Sequence, residues 1–332
     1  MLNPNLNLNQ NLFDKEKIEL KSVRDGFGDG LMELGKTNPD VVVLTADLSE
    51  STRVEKFAKE YPQRFFECGV AEQNMAAIAA GLGVSGKIAF ISSYAVFSPG
   101  KNWETIRTTT VYNQANVKIA GHHTGIATGA DGVTHQASED IAITRCWPGI
   151  QIFSPCDAVE AQKATIASVQ INTPVYLRFS RQKSPIITTE QTPFTSGQIV
   201  DFWQTENPQV TIFATGYLLY QALLAAKELE EENIPTIVAN VATIKPLDGE
   251  NILKLTQISQ AVVTVEDHQI MGGMGGAIAE FLAQNKPLPM EFIGLQNTFA
   301  QSGSPEDLMK KYGLDKDAIK SAVKKVIERK IK

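Results

Sequence analysis

Short β-branched runs alternate with amphipathic stretches along almost the whole chain. Val41-Val42-Val43-Leu44, Lys87-Ile88-Ala89-Phe90-Ile91, Val117-Lys118-Ile119-Ala120, Ile150-Gln151-Ile152-Phe153 and Val175-Tyr176-Leu177-Arg178-Phe179 read as strands. Helical spacing fills the intervals at 18–36, 71–84, 102–113, 137–145 and 157–168. That alternation predicts a mostly parallel sheet covered on both faces. It breaks over 182–208, a polar stretch containing Thr and Pro that reads as a connection. A second series then begins at Val210-Thr211-Ile212-Phe213 and continues through strands at 236–239, 261–265 and 290–293. Helices fit 217–232, 248–257, 274–284, 305–312 and 315–330. The expected fold class is α/β, with two doubly wound domains at 18–185 and 209–332, a linker at 186–208 and no internal repeat. Residues 1–17 are Asn-rich and are expected to form a disordered tail.

Composition narrows the picture only a little. The 332 residues suffice for about two domains with well-buried cores, and 43% hydrophobic with 20% charged residues is ordinary for a soluble protein. A formal charge of -6 argues against nucleic acid or an anionic membrane as the partner. No apolar run approaches the ~20 residues that span a bilayer, and the first residues lack the basic start and apolar core of a signal peptide. Cys68, Cys146 and Cys156 have no metal-ligand spacing and are expected as reduced structural thiols in a cytoplasmic protein.

The chemistry-bearing residues fall into two groups. Glu72 opens the small, apolar helical run Met75-Ala76-Ala77-Ile78-Ala79-Ala80-Gly81-Leu82. The helix dipole alone explains a carboxylate there, but a close helix–helix contact would also bury it and let it share a proton with a nitrogen base. Further on, Gly121-His122-His123-Thr124-Gly125-Ile126-Ala127-Thr128-Gly129-Ala130-Asp131-Gly132-Val133-Thr134-His135 follows a strand and holds three of the four histidines. Loops at strand C-termini are where open α/β sheets bind ligands. Its imidazoles and carboxylate suit sugar hydroxyls better than zinc. Phe90, Tyr94 and Phe97 follow or end a strand, and such side chains either pack a core or enclose a flat heteroaromatic ring. Taken singly, Arg24 and Arg181 are surface charges or ion-pair partners, although an arginine fork also suits a phosphate.

Together, Gly69-Val70-Ala71-Glu72-Gln73-Asn74-Met75 and Gly129-Ala130-Asp131-Gly132-Val133-Thr134-His135-Gln136 resemble the pyrimidine-binding domain of transketolases. Leu44-Thr45-Ala46-Asp47-Leu48-Ser49, Trp103-Glu104-Thr105-Ile106-Arg107 and Thr243-Ile244-Lys245-Pro246-Leu247-Asp248 extend the resemblance over residues 18–330. It looks especially close to the C-terminal subunit of transketolases made as two polypeptides.

The resemblance implies thiamine diphosphate-dependent ketol transfer between sugar phosphates, as in the pentose phosphate pathway. Glu72 would protonate the aminopyrimidine ring, and Tyr94, then Phe97 and Phe90, would enclose it, with Asp47 lining the cofactor cleft. His123 and His135 would act with Glu72 as catalytic groups, moving protons, and with Asp131 would contact the sugar, while Arg24, Ser51 and Arg181 would bind its phosphate. His122 would be a neighbour. Ala130 stands where many relatives carry an acid. Mg2+ and the diphosphate would be held by a separate N-terminal subunit in an active α2β2 heterotetramer.

Two glycine motifs are expected to be structural. Gly28-Asp29-Gly30 imitates a Mg2+-diphosphate motif but lies inside the first helical segment, and Gly272-Gly273-Met274-Gly275-Gly276 matches neither a dinucleotide loop nor a P-loop. The alternative readings are the β subunit of a 2-oxo acid dehydrogenase first component, a deoxyxylulose phosphate synthase, a split transketolase acting on unusual sugars, or a non-catalytic regulatory homologue.

Overall fold

A computed structural model describes residues 1–330. Its larger sheet has seven strands, in the order Thr243–Lys245, Gln151–Phe153, Val175–Phe179, Val117–His122, Ile88–Tyr94, Val41–Thr45 and Phe65–Glu67. All neighbours are parallel except the first pair, where Thr243–Lys245 arrives from the second domain and runs antiparallel to Gln151–Phe153. The second sheet has the order Met290–Leu295, Val262–Gln269, Val210–Ala214, Thr236–Asn240 and Val200–Trp203, with only the last strand antiparallel. The central strands are buried along their whole length, as parallel strands covered by helices on both faces must be. Parallel register brings Thr45, Tyr94, His122 and Phe179 to one end of the larger sheet, where the chain leaves each strand.

Helix packing accounts for Gly28-Asp29-Gly30. The helix Val23–Thr37 crosses the helix Ala158–Ser168 so closely that a Cβ on Gly26 would lie 1.8 Å from the Ala158 carbonyl oxygen, and one on Gly30 would lie 2.9 Å from Thr165. Glycines four residues apart form the flat stripe that this approach requires. The close crossing gives these positions a packing role.

Residues 1–17 depart from the expected disordered tail. Leu6, Leu8 and Leu12 are buried, Pro4–Leu6 makes a helical turn capped by Asn3, and the Asn3 amide donates to the Phe202 carbonyl at 2.9 Å. The leucines recur between asparagines, so the apolar signal sits beneath a polar composition. The 186–208 stretch is likewise more than a connection: Val200–Trp203 is an edge strand, and the Ile187 and Thr188 amides bond the buried Asp157 carboxylate at 2.7 and 2.6 Å. Tail and connection cover one another, the Asn9 amide donating to the Ile187 carbonyl at 2.9 Å. Among the described residues no helix is long and apolar enough to cross a membrane.

Candidate active site

Glu72 is the first residue of the helix Glu72–Val84, and its side chain is only 3% exposed. Ala71 and Ala76, Ala79 and Ala80 leave little bulk around this helix, so its neighbours approach closely enough to cover the carboxylate. Lys101 Nζ donates to Glu72 Oε2 at 2.7 Å, and among the described residues it is the one donor to that carboxylate. Asn102 fixes the same turn through its side-chain N–H, which donates to the Glu72 carbonyl at 3.0 Å. Lys101 carries no sequence signal of its own. It reaches Glu72 because the π-helical segment Val96–Lys101 folds back against the helix start.

That segment also carries Phe97, which stacks on Tyr94 with ring centroids 5.9 Å apart. Tyr94 ends its strand and stacks on His123 at 3.8 Å, while His135 meets Tyr94 and Phe97 edge-on at 5.8 and 5.5 Å. Two aromatic rings and two imidazoles, separated by up to 41 residues in sequence, thus share one wall. His123 is held in a left-handed backbone conformation, φ 56°. Burial, reinforced by the positive charges of Arg24 and Arg181, pushes its pKa down to about 3. It is therefore a neutral imidazole near pH 7, suited to hydrogen bonding and unable to act as an imidazolium acid.

The arginines lie beyond His123. Arg24 Nη1 donates to the Ser51 carbonyl at 2.7 Å, Arg181 Nη1 donates to the Thr128 carbonyl at 2.8 Å, and Arg181 faces Asp131 at 3.4 Å. Ser51 thus meets Arg24 through its backbone. Burial and the adjacent Arg53 guanidinium lower the Arg24 pKa, yet arginine stays charged. Arg53, which the sequence did not single out, pairs with Asp25 at 2.7 Å and adds a third cation. A cavity of about 490 Å³ opens between Arg24, Arg181, residues 127–130 and residues 303–305 of the second domain.

Four candidates fall elsewhere. Phe90 must be corrected: it sits mid-strand, fully buried, 6.2 Å from Phe27, and packs the core four residues before the ligand end of the strand. Asp47 is exposed at the end of its own strand, in a left-handed conformation, with its amide bonded to Glu67 Oε1 at 2.7 Å. His122 is buried between Phe27 and Phe179 and meets Ser92 Oγ at 3.1 Å, which makes it a core residue. Partial burial, with the Glu67 charge adding to it, raises the Cys68 pKa, so the thiol is no ready nucleophile. In the second glycine loop, the Met274 and Gly275 amides are taken by the Glu266 carboxylate at 2.7 and 2.9 Å, where a phosphate would otherwise bind.

Among the described residues, buried Arg24 Nε and His123 Nδ1 have no hydrogen-bond partner, and the Glu72 carboxylate has only Lys101. A buried acid beside half-buried aromatic rings fits a flat nitrogen heterocycle, and the arginine cavity fits an anion. Among the described residues there is no group of three or more His, Cys, Asp or Glu side chains that could hold a metal ion. Fold and site together define a two-domain α/β protein with a candidate ligand cleft whose side chains suit a flat nitrogen heterocycle and an anion.

Family models agree with that class. Residues 20–186 match the transketolase pyrimidine-binding domain, and residues 203–319 match the transketolase C-terminal domain. A Methanocaldococcus jannaschii chain named as a transketolase C-terminal section is 44% identical over 307 residues, covering 90% of this chain and 94% of its own. The 6-deoxy-6-sulfo-D-fructose transketolase subunit of Clostridium sp. strain MSTE9 is 36% identical over 314 residues, covering 95% and 97%. A solved structure described as a split-gene transketolase, inactive beta4 tetramer, superposes with a TM-score of 0.86 at 40% identity, over 92% of this chain and 98% of that one. The chain belongs to the transketolase family, as a C-terminal subunit of the split type. The family's domains imply dependence on thiamine diphosphate.

Proposed function

We propose that this chain is the pyrimidine-binding half of a two-subunit transketolase, moving a two-carbon ketol unit from a ketose phosphate to an aldose phosphate. The observation that carries the reading is the buried Glu72 carboxylate, bonded among the described residues only by Lys101, which ends the same segment that brings Phe97 onto Tyr94, His123 and His135. When bound, thiamine diphosphate supplies a nucleophilic thiazolium carbon and an electron sink for the transferred unit. Glu72 exchanges a proton with the pyrimidine nitrogen, and Lys101 keeps the carboxylate in place. Tyr94 and Phe97 pack the pyrimidine. Neutral His123, with His135 and Asp131, orients the sugar hydroxyls, and Arg24, Ser51 and Arg181 hold the phosphate end.

Mg2+ and the diphosphate fall to a separate N-terminal subunit, in an α2β2 assembly. The exposed Ala77, Ile78 and Gly81 on the Glu72 helix, with exposed Val70 just before it, supply an apolar face on which that subunit would complete the site. The inactive homotetramer described for the structural relative supports little activity for this chain alone. The proposal places this activity in the pentose phosphate pathway of the cytoplasm. The sulfofructose subunit shows that a close relative's name carries another anionic sugar, so the donor must be tested.

The test is a coupled assay with xylulose 5-phosphate and ribose 5-phosphate, thiamine diphosphate and Mg2+, using this chain alone and with an N-terminal transketolase subunit. Activity in the mixture only is expected. Activity of the chain alone would refute the half-site.

A further inference from the structure

Three buried titratable residues stand in a row at the end of the strand Val262–Gln269, and each goes to a different element. Glu266 holds the two amides of its own glycine loop. His268 Nε2 accepts from the Ala142 amide at 3.3 Å. Asp267 crosses to the first domain. Its Oδ1 accepts from the Ile126 amide at 2.9 Å, and its Oδ2 accepts from the Ala127 amide at 3.3 Å and the Tyr217 hydroxyl at 2.8 Å. Gly125 permits this approach: a Cβ there would lie 2.1 Å from the Asp267 carboxyl group, and its φ is +69°. The Asp267 carbonyl is itself pinned by Arg178 Nη2 at 2.7 Å, and Arg178 is locked onto buried Asp140 at 2.8 and 3.2 Å.

The residues just beyond Ala127 form the substrate side of the site. Thr128 donates its hydroxyl to the His123 carbonyl at 2.8 Å and offers its own carbonyl to Arg181. Asp131, three residues on, faces Arg181. The carboxylate at 267 therefore sets where Thr128 lies, and Thr128 bonds both His123 and Arg181. Hydrogen bonds to an ionised acceptor are roughly twice as strong as neutral ones, so two such bonds add to the anchoring that buried Ile126 and Ala127 give this glycine-rich loop.

We propose that Asp267 is a positioning residue for the 125–131 loop, through which the second domain sets the affinity of the site for its sugar phosphate without touching the sugar. This rests on the arginine cavity being the phosphate site. Asp267→Asn keeps the shape but puts an NH2 group against one of the three donors. In the purified chain, the Ile126 and Ala127 amides should exchange hydrogen about tenfold faster or more, with the Val117–His122 strand unchanged. In the complex with the N-terminal subunit, KM for the ketose phosphate should rise about tenfold, with kcat within about twofold and thiamine diphosphate affinity unchanged. Tyr217→Phe leaves both amides bonded and should leave both readouts near wild type.

Amides that stay protected in Asp267→Asn would overturn the proposal, as would loosened amides with an unchanged KM. If Asp267→Asn does not fold, Gly125→Ala takes its place, because the added methyl forces the loop off the carboxylate. The same two changes are expected there, and their absence refutes the clamp. A wild-type complex inactive on every sugar phosphate would refute both the proposed function and the affinity role, while the exchange measurement would still decide whether the clamp exists.

Discussion

The loop after the strand Val117–His122 and the end of the strand Val262–Gln269 with the glycine loop that follows it are built from the same materials: glycine, imidazole and carboxylate. In the second, Glu266, Asp267 and His268 are each spent on backbone amides. In the first, His123 Nδ1 is buried without a partner, Asp131 is exposed, and His135 meets aromatic rings and a threonine hydroxyl. A carboxylate that satisfies amides builds the fold; polar groups left unspent beside a cavity await a ligand. The glycine count of the two loops does not distinguish them. The fate of their polar atoms does.

The largest effect that tests this difference should come from Glu72. Replacing it with Gln keeps an acceptor for Lys101 but removes the exchangeable carboxyl proton. A coupled assay on the complex should lose about 10²–10⁴-fold in kcat, with KM for both sugars within a few-fold. A kcat within tenfold of wild type would remove Glu72 from the chemistry and turn its burial into a matter of helix capping.

The next effect should come from Arg181, which faces the cavity from the opposite side to the Asp267 clamp. Arg181→Met keeps most of the stem and removes the guanidinium, at a cost of about 1.5–3 kcal/mol for a charge-assisted contact, or about 10–100-fold in KM for phosphorylated sugars. Acceptors without a phosphate should be little affected. Equal losses for both acceptor classes would place the anion elsewhere and leave Arg181 as a support for Asp131.

Those two variants also mark what could be read from residues alone. Glu72, Tyr94, Phe97, His123, Asp131 and His135 stood out as reactive or ring-bearing types near strand or helix ends or on a glycine-rich loop, whereas Arg24 and Arg181, surface charges when read singly, became candidates only through the resemblance. Period and strand composition likewise gave the two α/β series and their central strands, but not the short edge strands Phe65–Glu67, Val200–Trp203 and Thr243–Lys245. Phe90 was misplaced because a strand residue four positions before the end has the same composition as one at the end; only its packing against Phe27 separates them. Lys101 and Arg53 were missed because their roles come from a π-helical fold-back and a left-handed turn, neither of which has a periodic signature. The leucines of residues 1–17 were hidden among asparagines, whose backbone bonds reach residues 187 and 202, too distant in sequence to leave a local signature.

A smaller effect should appear in stability, at a saturated cluster away from both loops. Glu160 is fully buried, accepting from the Cys156 amide at 2.7 Å and Asn240 Nδ2 at 2.8 Å. Burial, with the Asp157 charge adding to it, raises its pKa from 4.5 to about 7. A carboxyl with a raised folded pKa is more protonated in the folded state than in the unfolded one, so its contribution is full below about pH 4.5 and is lost as pH rises through about 7. The shift corresponds to roughly 3 kcal/mol. Urea midpoints measured at pH 5 and pH 8 should fall with pH in the wild type, and Glu160→Gln should flatten that fall. An unchanged slope would assign it to other groups.

The smallest expected effect is no change at all, at His123. Its pKa near 3 lies below the ordinary histidine value of 6.5, so the folded state favours the neutral ring and any stability it adds is lost only as pH falls from about 6.5 through about 3. Ring-proton shifts followed by NMR should leave His123 stationary between pH 5 and 8. Movement with a midpoint near 6 would mean that the ring is hydrated and far from Arg24 and Arg181, and would return it to the candidate proton carriers. A stationary ring would keep proton transfer with Glu72 and leave His123 to orient the sugar. Both loops would then use their histidines for hydrogen bonding, one toward a backbone amide and the other toward a ligand.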